Sequence, residues 1–205
     1  MLPTTRQPLV FLLLLIGAVR TDLALAAPEE FVIDPNHTYA TFEVRHLGIS
    51  TQRGRFNRNT GKVILDTGAE SGNVEINIDA RTIDTGSDAM EKLLRGGDFF
   101  NVEKFPDITF QSQTVVFAEG KPASIEGKLT LLGVARPVTL TVTGYACTRL
   151  PFRVKTTCGL DAVTTIRRSD FGMTSLLSFV GDDIKLHIQA EAVKEEKPQP
   201  PPLGS

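Results

Sequence analysis

The stretch Ser87–Ser112, SDAMEKLLRGGDFFNVEKFPDITFQS, decides how the rest of the chain is read. It is the one helical interlude among segments that otherwise alternate as strands. Asp88 followed by Glu91 matches a capping box, in which side chains satisfy free amides of a first turn. Met90, Leu93 and Leu94 fall on one side of a short helix, and Gly96-Gly97 supply a left-handed stop. Asp98-Phe99-Phe100 follows the break. Phe105-Pro106 forces extended backbone, and Ile108 and Phe110 open a new alternation. A helix between two series of strands predicts a plug or lid over one end of a β structure. Phe99 and Phe100 there either cap the core, as most large apolar residues do, or touch a bound lipid.

Toward the N-terminus, Asn73–Ala80 is the most regular strand: Val74, Ile76, Ile78 and Ala80 alternate with Glu75, Asn77 and Asp79. Gly54-Arg55-Phe56 and Lys62–Leu65 flank Asn59-Thr60-Gly61, a hairpin turn signal. Tyr39–Leu47 puts Ala40, Phe42, Val44 and His46 on one face, the pattern of a half-buried strand. Asp34-Pro35-Asn36-His37 is a turn, and Phe31-Val32-Ile33 opens the domain.

Toward the C-terminus, Ile108–Ser112 and Thr114–Phe117 read as strands, with a turn at Glu119–Pro122. Ile125, Gly127, Leu129 and Leu131 share a face. Gly133 and Pro137 bracket a turn before Val138, Leu140, Val142, Gly144 and Ala146. Leu160–Ile166 is a strand, Arg167–Met173 is an irregular or short helical segment, and Ile184, Leu186, Ile188, Ala190 and Ala192 line the last strand. Many short antiparallel strands, each with one apolar face, imply an all-β sandwich or closed barrel. A wide barrel can enclose a ligand. Small residues at presumed inward positions (Ala40, Ala80, Gly127, Gly144, Ala146, Ala190, Ala192) favour an apolar cavity over a filled core.

The ends carry separate signals. Arg6, the apolar run Leu9–Val19 and Ala24-Leu25-Ala26 together describe a cleaved secretory signal peptide over residues 1–26. The run of about eleven residues is too short to span a bilayer, which takes roughly twenty. Residues 194–205, charged and then Pro-rich, read as a disordered tail. Residues 27–193 remain as one domain, about 165 residues, a normal single-core size. Without the leader, 22 Lys and Arg against 24 Asp and Glu become 20 against 23, and net charge −2 becomes −3. That excludes the basic excess of a nucleic-acid surface.

Cys147 and Cys158 in an exported chain read as a structural disulfide, with a redox-active pair disfavoured by the absence of C-x-x-C. No G-x-S-x-G elbow, Walker A loop or H-E-x-x-H motif is present. His37, His46 and His187 lack metal-ligand spacing, so no metal is expected. Asn36-His37-Thr38 matches a glycosylation sequon. Arg167-Arg168-Ser169-Asp170 either binds a polar head group or forms an ion-paired loop.

The chain resembles the YceI family of polyisoprenoid-binding, lipocalin-like exported bacterial proteins. The resemblance is carried by Asp34–Thr38 (DPNHT) with Phe42–His46 (FEVRH), by Gly54-Arg55-Phe56, and by Gly97–Asn101 (GDFFN) with Phe105–Phe110 (FPDITF). It continues through Gly127–Val134 (GKLTLLGV) with Arg136-Pro137-Val138, and Arg168–Met173 (RSDFGM). Family members often carry an Arg-Asp pair before the helix, where this chain has Asp88-Ala89-Met90-Glu91. The resemblance implies an extended antiparallel lipocalin-like β-barrel with a short helical insertion near Ser87–Asn101. It implies a tunnel for a polyisoprenoid or similar long-chain lipid, such as an isoprenoid quinone or fatty amide.

The expected lining is Phe42, Val44, Val74, Ile76, Ile78, Phe110, Leu129, Leu140, Val142, Leu186 and Ile188, with Phe99, Phe100, Phe171 and Met173 near the ends. His37, His46, Arg168 and Asp170 are the head-group candidates. The expected role is carriage, storage or scavenging in the periplasm without catalysis and without a cofactor beyond the lipid. The competing readings are an enzyme of isoprenoid or quinone metabolism and a stress-response adaptor. A membrane redox partner and a homodimer are left open.

Overall fold

Among the described residues, eleven strands and one α-helix arise from these alternations: β1 Glu29–Ile33, β2 Tyr39–His46, β3 Ser50–Phe56, β4 Asn59–Asp66, β5 Ser71–Asp79, β6 Ile83–Asp84, α1 Asp88–Arg95, β7 Asp107–Ala118, β8 Lys121–Leu131, β9 Val134–Arg149, β10 Thr156–Arg167 and β11 Val180–Lys194. The computed structural model describes residues 27–149 and 155–196. The expected leader, Pro151 and the Pro-rich end from Lys197 lie outside the described residues.

All pairings are antiparallel, and β1 bonds to both β4 and β11, which closes the sheet. Along one edge of β11, Ala192–Lys194 pairs with β1, while Val180 and Ile184–Gln189 pair with β2. β1 and β2 are therefore two halves of one bent stave. β3 with β4 and β5 with β6 behave the same way, so the barrel has eight staves in meander order. Closure removes most of the unpaired edges. α1 is inserted between β6 and β7.

The hairpin turns follow local chemistry. Glu119-Gly120 and Leu132-Gly133 both have positive φ at the two central positions, the type I′ requirement that suits right-twisted strands. Gly133 therefore marks a turn, but Pro137 does not bracket it. Pro137 pairs with Lys128 inside β9. The β9–β10 register ends at Thr141↔Val163, so this stretch of β9 bonds to β8 alone. A proline fits such a free edge because it has no N–H to offer a second neighbour.

Asn59-Thr60-Gly61 is not a hairpin turn. The chain bends at Asn57-Arg58, and β4 begins at Asn59 without pairing to β3. Gly61 serves close approach instead: a Cβ there would lie 2.1 Å from Glu75 O. At the helix, Ser87 rather than Asp88 is the N-cap, its hydroxyl accepting from Met90 N–H. Glu91 reaches back to Thr85 N–H at 3.0 Å. Gly96 has φ −71°, and the left-handed residue comes later, at Asn101. Leu94 packs inward, but Leu93 is exposed, so the apolar stripe is narrower than expected.

A bulge between Asp161 and Ala162 shifts the β9–β10 register: Ala162 pairs with Val142, and Asp161 with Gly144. Parity on β9 flips there, because side chains alternate with period two. Tyr145 consequently lines the interior, while Ala146 is exposed. Gly144 and Ala146 therefore do not open the inside of the barrel. Gly127 is inward, but the Phe110 ring lies over it. A Cβ at 127 would meet Phe110 Cζ at 2.6 Å and Gln111 O at 2.5 Å. Gly127→Ala is expected to cost about 2 kcal/mol in urea unfolding, as overpacking against backbone does.

Cys147 and Cys158 are direct cross-strand partners joined by a disulfide across an 11-residue separation. The chain-entropy account gives roughly 3 kcal/mol for a loop of this order. Reduction should thus lower Tm by roughly 6–12 °C in a thermal melt, given about 2–4 °C per kcal/mol at this size.

Candidate functional site

The inward faces enclose a cavity of about 220 Å³. A water molecule needs only roughly 10–15 Å³, so the space suits an organic ligand. The cavity runs from Leu65, Tyr145 and Cys158 at the disulfide end to Arg168, Met173 and Val180 at the other. α1 contributes Leu94, and the segment after it contributes Phe99 and Phe100. The Phe100 ring stands edge-on to Phe56 at 5.4 Å, and Phe56 is 6.1 Å from Phe42. The helical insertion thus forms part of the wall.

The interior is asymmetric. On β5, β7 and β8 the inward residues Val74, Ile78, Phe110, Ile125 and Leu129 are buried against one another. On β9 and β11, Leu140, Ile184, Leu186 and Ile188 line the same cavity yet keep partial exposure.

Of the wall residues predicted from sequence, all but Val142 and Phe171 line this cavity. Val142 packs against the core beside the bulge. Phe171 is 2% exposed and anchors a 3-10 turn, Arg168–Phe171. Sequence reading missed Phe31, Ile33, Tyr145 and Asn59 as wall residues. β1 carried a usable signal in its alternation. Tyr145 was hidden by the bulge, and Asn59 by its resemblance to a turn.

The head-group candidates separate. His37 is exposed, with Nδ1 3.0 Å from Asp34 Oδ2, and serves the β1–β2 turn. His46 ends β2 opposite Val180, away from the wall. Asp170 forms a surface ion pair with Arg167 at 2.8 Å. Its backbone oxygen accepts from Arg136 Nε at 2.9 Å, tying β9 to the 3-10 turn. Only Arg168 lines the cavity, and it is 2% exposed. Arg168 donates to four carbonyls: Gly181 at 3.0 Å, Met173 at 3.1 Å, Ser175 at 2.7 Å and Val180 at 2.9 Å. Burial pushes its guanidinium below the usual range, and the nearby Asp182 carboxylate opposes that shift. Asp182 is itself held below the usual carboxylate range by bonds from the Ser169 hydroxyl and amide. The Arg167–Asp170 cluster is therefore a scaffold that fixes the loop before β11.

Four other polar side chains line the wall: Thr38, Tyr39, Asn59 and Tyr145. Thr38 Oγ1 donates to Glu191 O at 3.2 Å and accepts from Glu191 N at 3.1 Å. Tyr39 donates to Asn36 O at 2.8 Å. Tyr145 OH lies 3.1 Å from Cys147 Sγ, and burial pushes its phenol up, with Glu29 adding to the shift. Among the described residues the remaining side chains of the wall are hydrocarbon, apart from the sulfurs of Cys158 and Met173.

Comparisons place this barrel among known proteins. A family model described as "YceI-like domain" matches residues 31–192. A UPF0312 protein of Pseudomonas aeruginosa is 33% identical over 173 residues, covering 84% of this chain and 90% of that protein. Protein YceI of Salmonella arizonae is 33% identical over 177 residues, covering 86% and 92%. Among solved structures, BcnA of Burkholderia cenocepacia superposes with TM-score 0.67 at 23% identity, covering 78% of this chain and 98% of that one. A polyisoprenoid-binding domain from Saccharophagus degradans gives TM-score 0.59 at 15% identity, covering 80% and 98%, a likeness of fold. The match takes in nearly the whole barrel, from within β1 to within β11, and this chain belongs to the YceI family.

Proposed function

We propose that this protein binds a long-chain isoprenoid or similar lipid in its barrel, for transport, storage or scavenging in the periplasm, with no bond made or broken. The observation that carries the reading is the wall, in which hydrocarbon side chains from eight staves and the helical insertion face one elongated space. Burying a lipid chain there gains about 0.8 kcal/mol per methylene. Ten buried carbons give a gross ~8 kcal/mol, enough to offset ordering costs with few polar contacts. The name of the Saccharophagus degradans domain supports the ligand class. The disulfide supports an oxidising compartment.

Protein purified from exporting cells and extracted with organic solvent is expected to yield a long-chain lipid near one per barrel by mass spectrometry. Its mass should match the same lipid in the host membrane, as carriage without chemistry requires. Lipid-free protein that also takes up no added prenol would overturn the reading.

A further inference from the structure

The end of the barrel away from the disulfide carries two neighbouring loops with large apolar side chains left exposed. One is the β2–β3 turn, with Leu47 50% and Ile49 80% exposed. The other is the segment before β11, with Leu176 50%, Leu177 40% and Phe179 55% exposed. Backbone bonds join the two: Leu47 N–H donates to Phe179 O at 2.7 Å, and Val180 pairs with His46. Single apolar residues on a surface need no explanation, but a cluster of them marks a docking site. The backbone sharpens the point. Leu47 and Leu176 hold φ of 53° and 56°, the left-handed region that glycine and asparagine occupy more readily than leucine. Leu132 has φ 53° in the β8–β9 turn, but its side chain packs on the core. Leu47 and Leu176 are half exposed instead, so neither backbone preference nor core packing accounts for leucine there.

The loop before β11 is held firmly. Arg168 donates to the carbonyls of Met173, Ser175, Val180 and Gly181, on both sides of Leu176–Phe179. Leu176 O accepts from Phe179 N–H at 2.9 Å and from Val180 N–H at 2.8 Å. The polar backbone is satisfied within the protein while the apolar side chains stay outside. We infer that this end of the barrel docks on a lipid bilayer, with Leu47, Ile49, Leu176, Leu177 and Phe179 entering its interfacial layer. Two observations favour a bilayer over a protein partner. Val180, the residue after Phe179, lines the cavity together with Met173, so the patch borders the compartment proposed to hold lipid. That argument rests on the lipid-binding reading above. The second observation is charge. Arg45–Thr51 and Thr174–Gly181 contain no Asp or Glu, in a chain with 24 acidic residues. Their one full charge is Arg45, whose guanidinium donates to Thr51 and to the Gly48 carbonyl at the tip. The acids that follow are engaged elsewhere, Asp182 by Ser169 and Asp183 opposite Arg167, and Glu43 pairs with Arg53. An acid-free apolar tip with an arginine beside it suits hydrocarbon beneath anionic phosphates.

The test is flotation of protein purified from exporting cells and delipidated, with vesicles of equal parts phosphatidylcholine and phosphatidylglycerol. Wild type is expected to float with the vesicles. Ile49→Ser combined with Phe179→Ser changes the two most exposed side chains of the patch and should lower the vesicle partition coefficient about a hundredfold. Each single variant should lose about tenfold, so the comparison survives if the double variant does not fold. Neither side chain lines the cavity, so Tm and uptake of detergent-dispersed geranylgeraniol should match wild type. Equal vesicle binding by wild type and variants overturns the inference, and so does a wild type that stays off the vesicles. Prenol uptake by that same protein would leave the lipid reading standing. Vesicle binding that the variants lose, in a protein that takes up no prenol, supports the docking surface and removes the lipid reading alone. A dimer that the variants lose in light scattering, with no vesicle binding by any of them, makes a second copy the occupant and overturns the bilayer.

Discussion

Replacing Ala40 and Ala190 together with phenylalanine should cost about a hundredfold in prenol affinity while leaving Tm unchanged or raised. Both alanines line the cavity, on β2 and β11, and both keep partial exposure to its interior. Two rings placed there would occupy space that a lipid chain would otherwise fill. Displacing about four methylenes at ~0.8 kcal/mol each removes about 3 kcal/mol of binding, which is about a hundredfold. In a solid core the same substitutions would overpack and destabilise by about 1–3 kcal/mol each. The signs are therefore opposite for a hollow and a filled barrel. Thermal denaturation and probe displacement, measured on one preparation, separate them. A fall in Tm with unchanged prenol binding would contradict the hollow wall.

Much of the barrel could be read from residue order because strand alternation is a local property. Val74, Ile76 and Ile78 on β5, and Leu186 and Ile188 on β11, alternate without interruption and all line the cavity. The reading failed where a single backbone event reset the parity. The Asp161/Ala162 bulge put Tyr145 inside and Ala146 outside; Gly144, paired with Asp161 at that point, was the one local signal, since a glycine inside a strand often marks a bulge. Gly61 looked like part of a turn because Asn-Thr-Gly commonly is one. Its reason is the Glu75 carbonyl on the neighbouring strand, a non-local contact. The small-residue argument for a hollow interior was partly right: Ala40, Ala190 and Ala192 do line the space. Gly127 does not open it, since Phe110 covers the glycine. The head-group candidates were chosen as polar residue types. Charge does not reveal whether a side chain is already committed, and Arg168 is.

Arg168→Met should destabilise the fold by about 4 kcal/mol, because four carbonyl oxygens lose donors at once and charge-assisted bonds carry more than neutral ones. At about 2–4 °C per kcal/mol that is a Tm drop of roughly 8–16 °C. The carbonyls belong to Met173, Ser175, Val180 and Gly181, which span the segment between the 3-10 turn and β11. Arg168 therefore clamps the loop that closes one end of the cavity onto the strand that leads into it. Lysine keeps the charge but offers a compact donor group in place of a planar fork, so Arg168→Lys should fall between methionine and wild type. Asp170→Ala is the contrasting variant. Its ion pair with Arg167 is largely exposed, 62% and 42% for the two side chains, so solvent screening leaves it little to contribute and Tm should hardly move. If Arg168 met a ligand head instead, its replacement would lower prenol affinity well below the melting range while sparing Tm. The four carbonyl bonds require the reverse: a large loss of stability, with binding kept wherever the barrel remains folded.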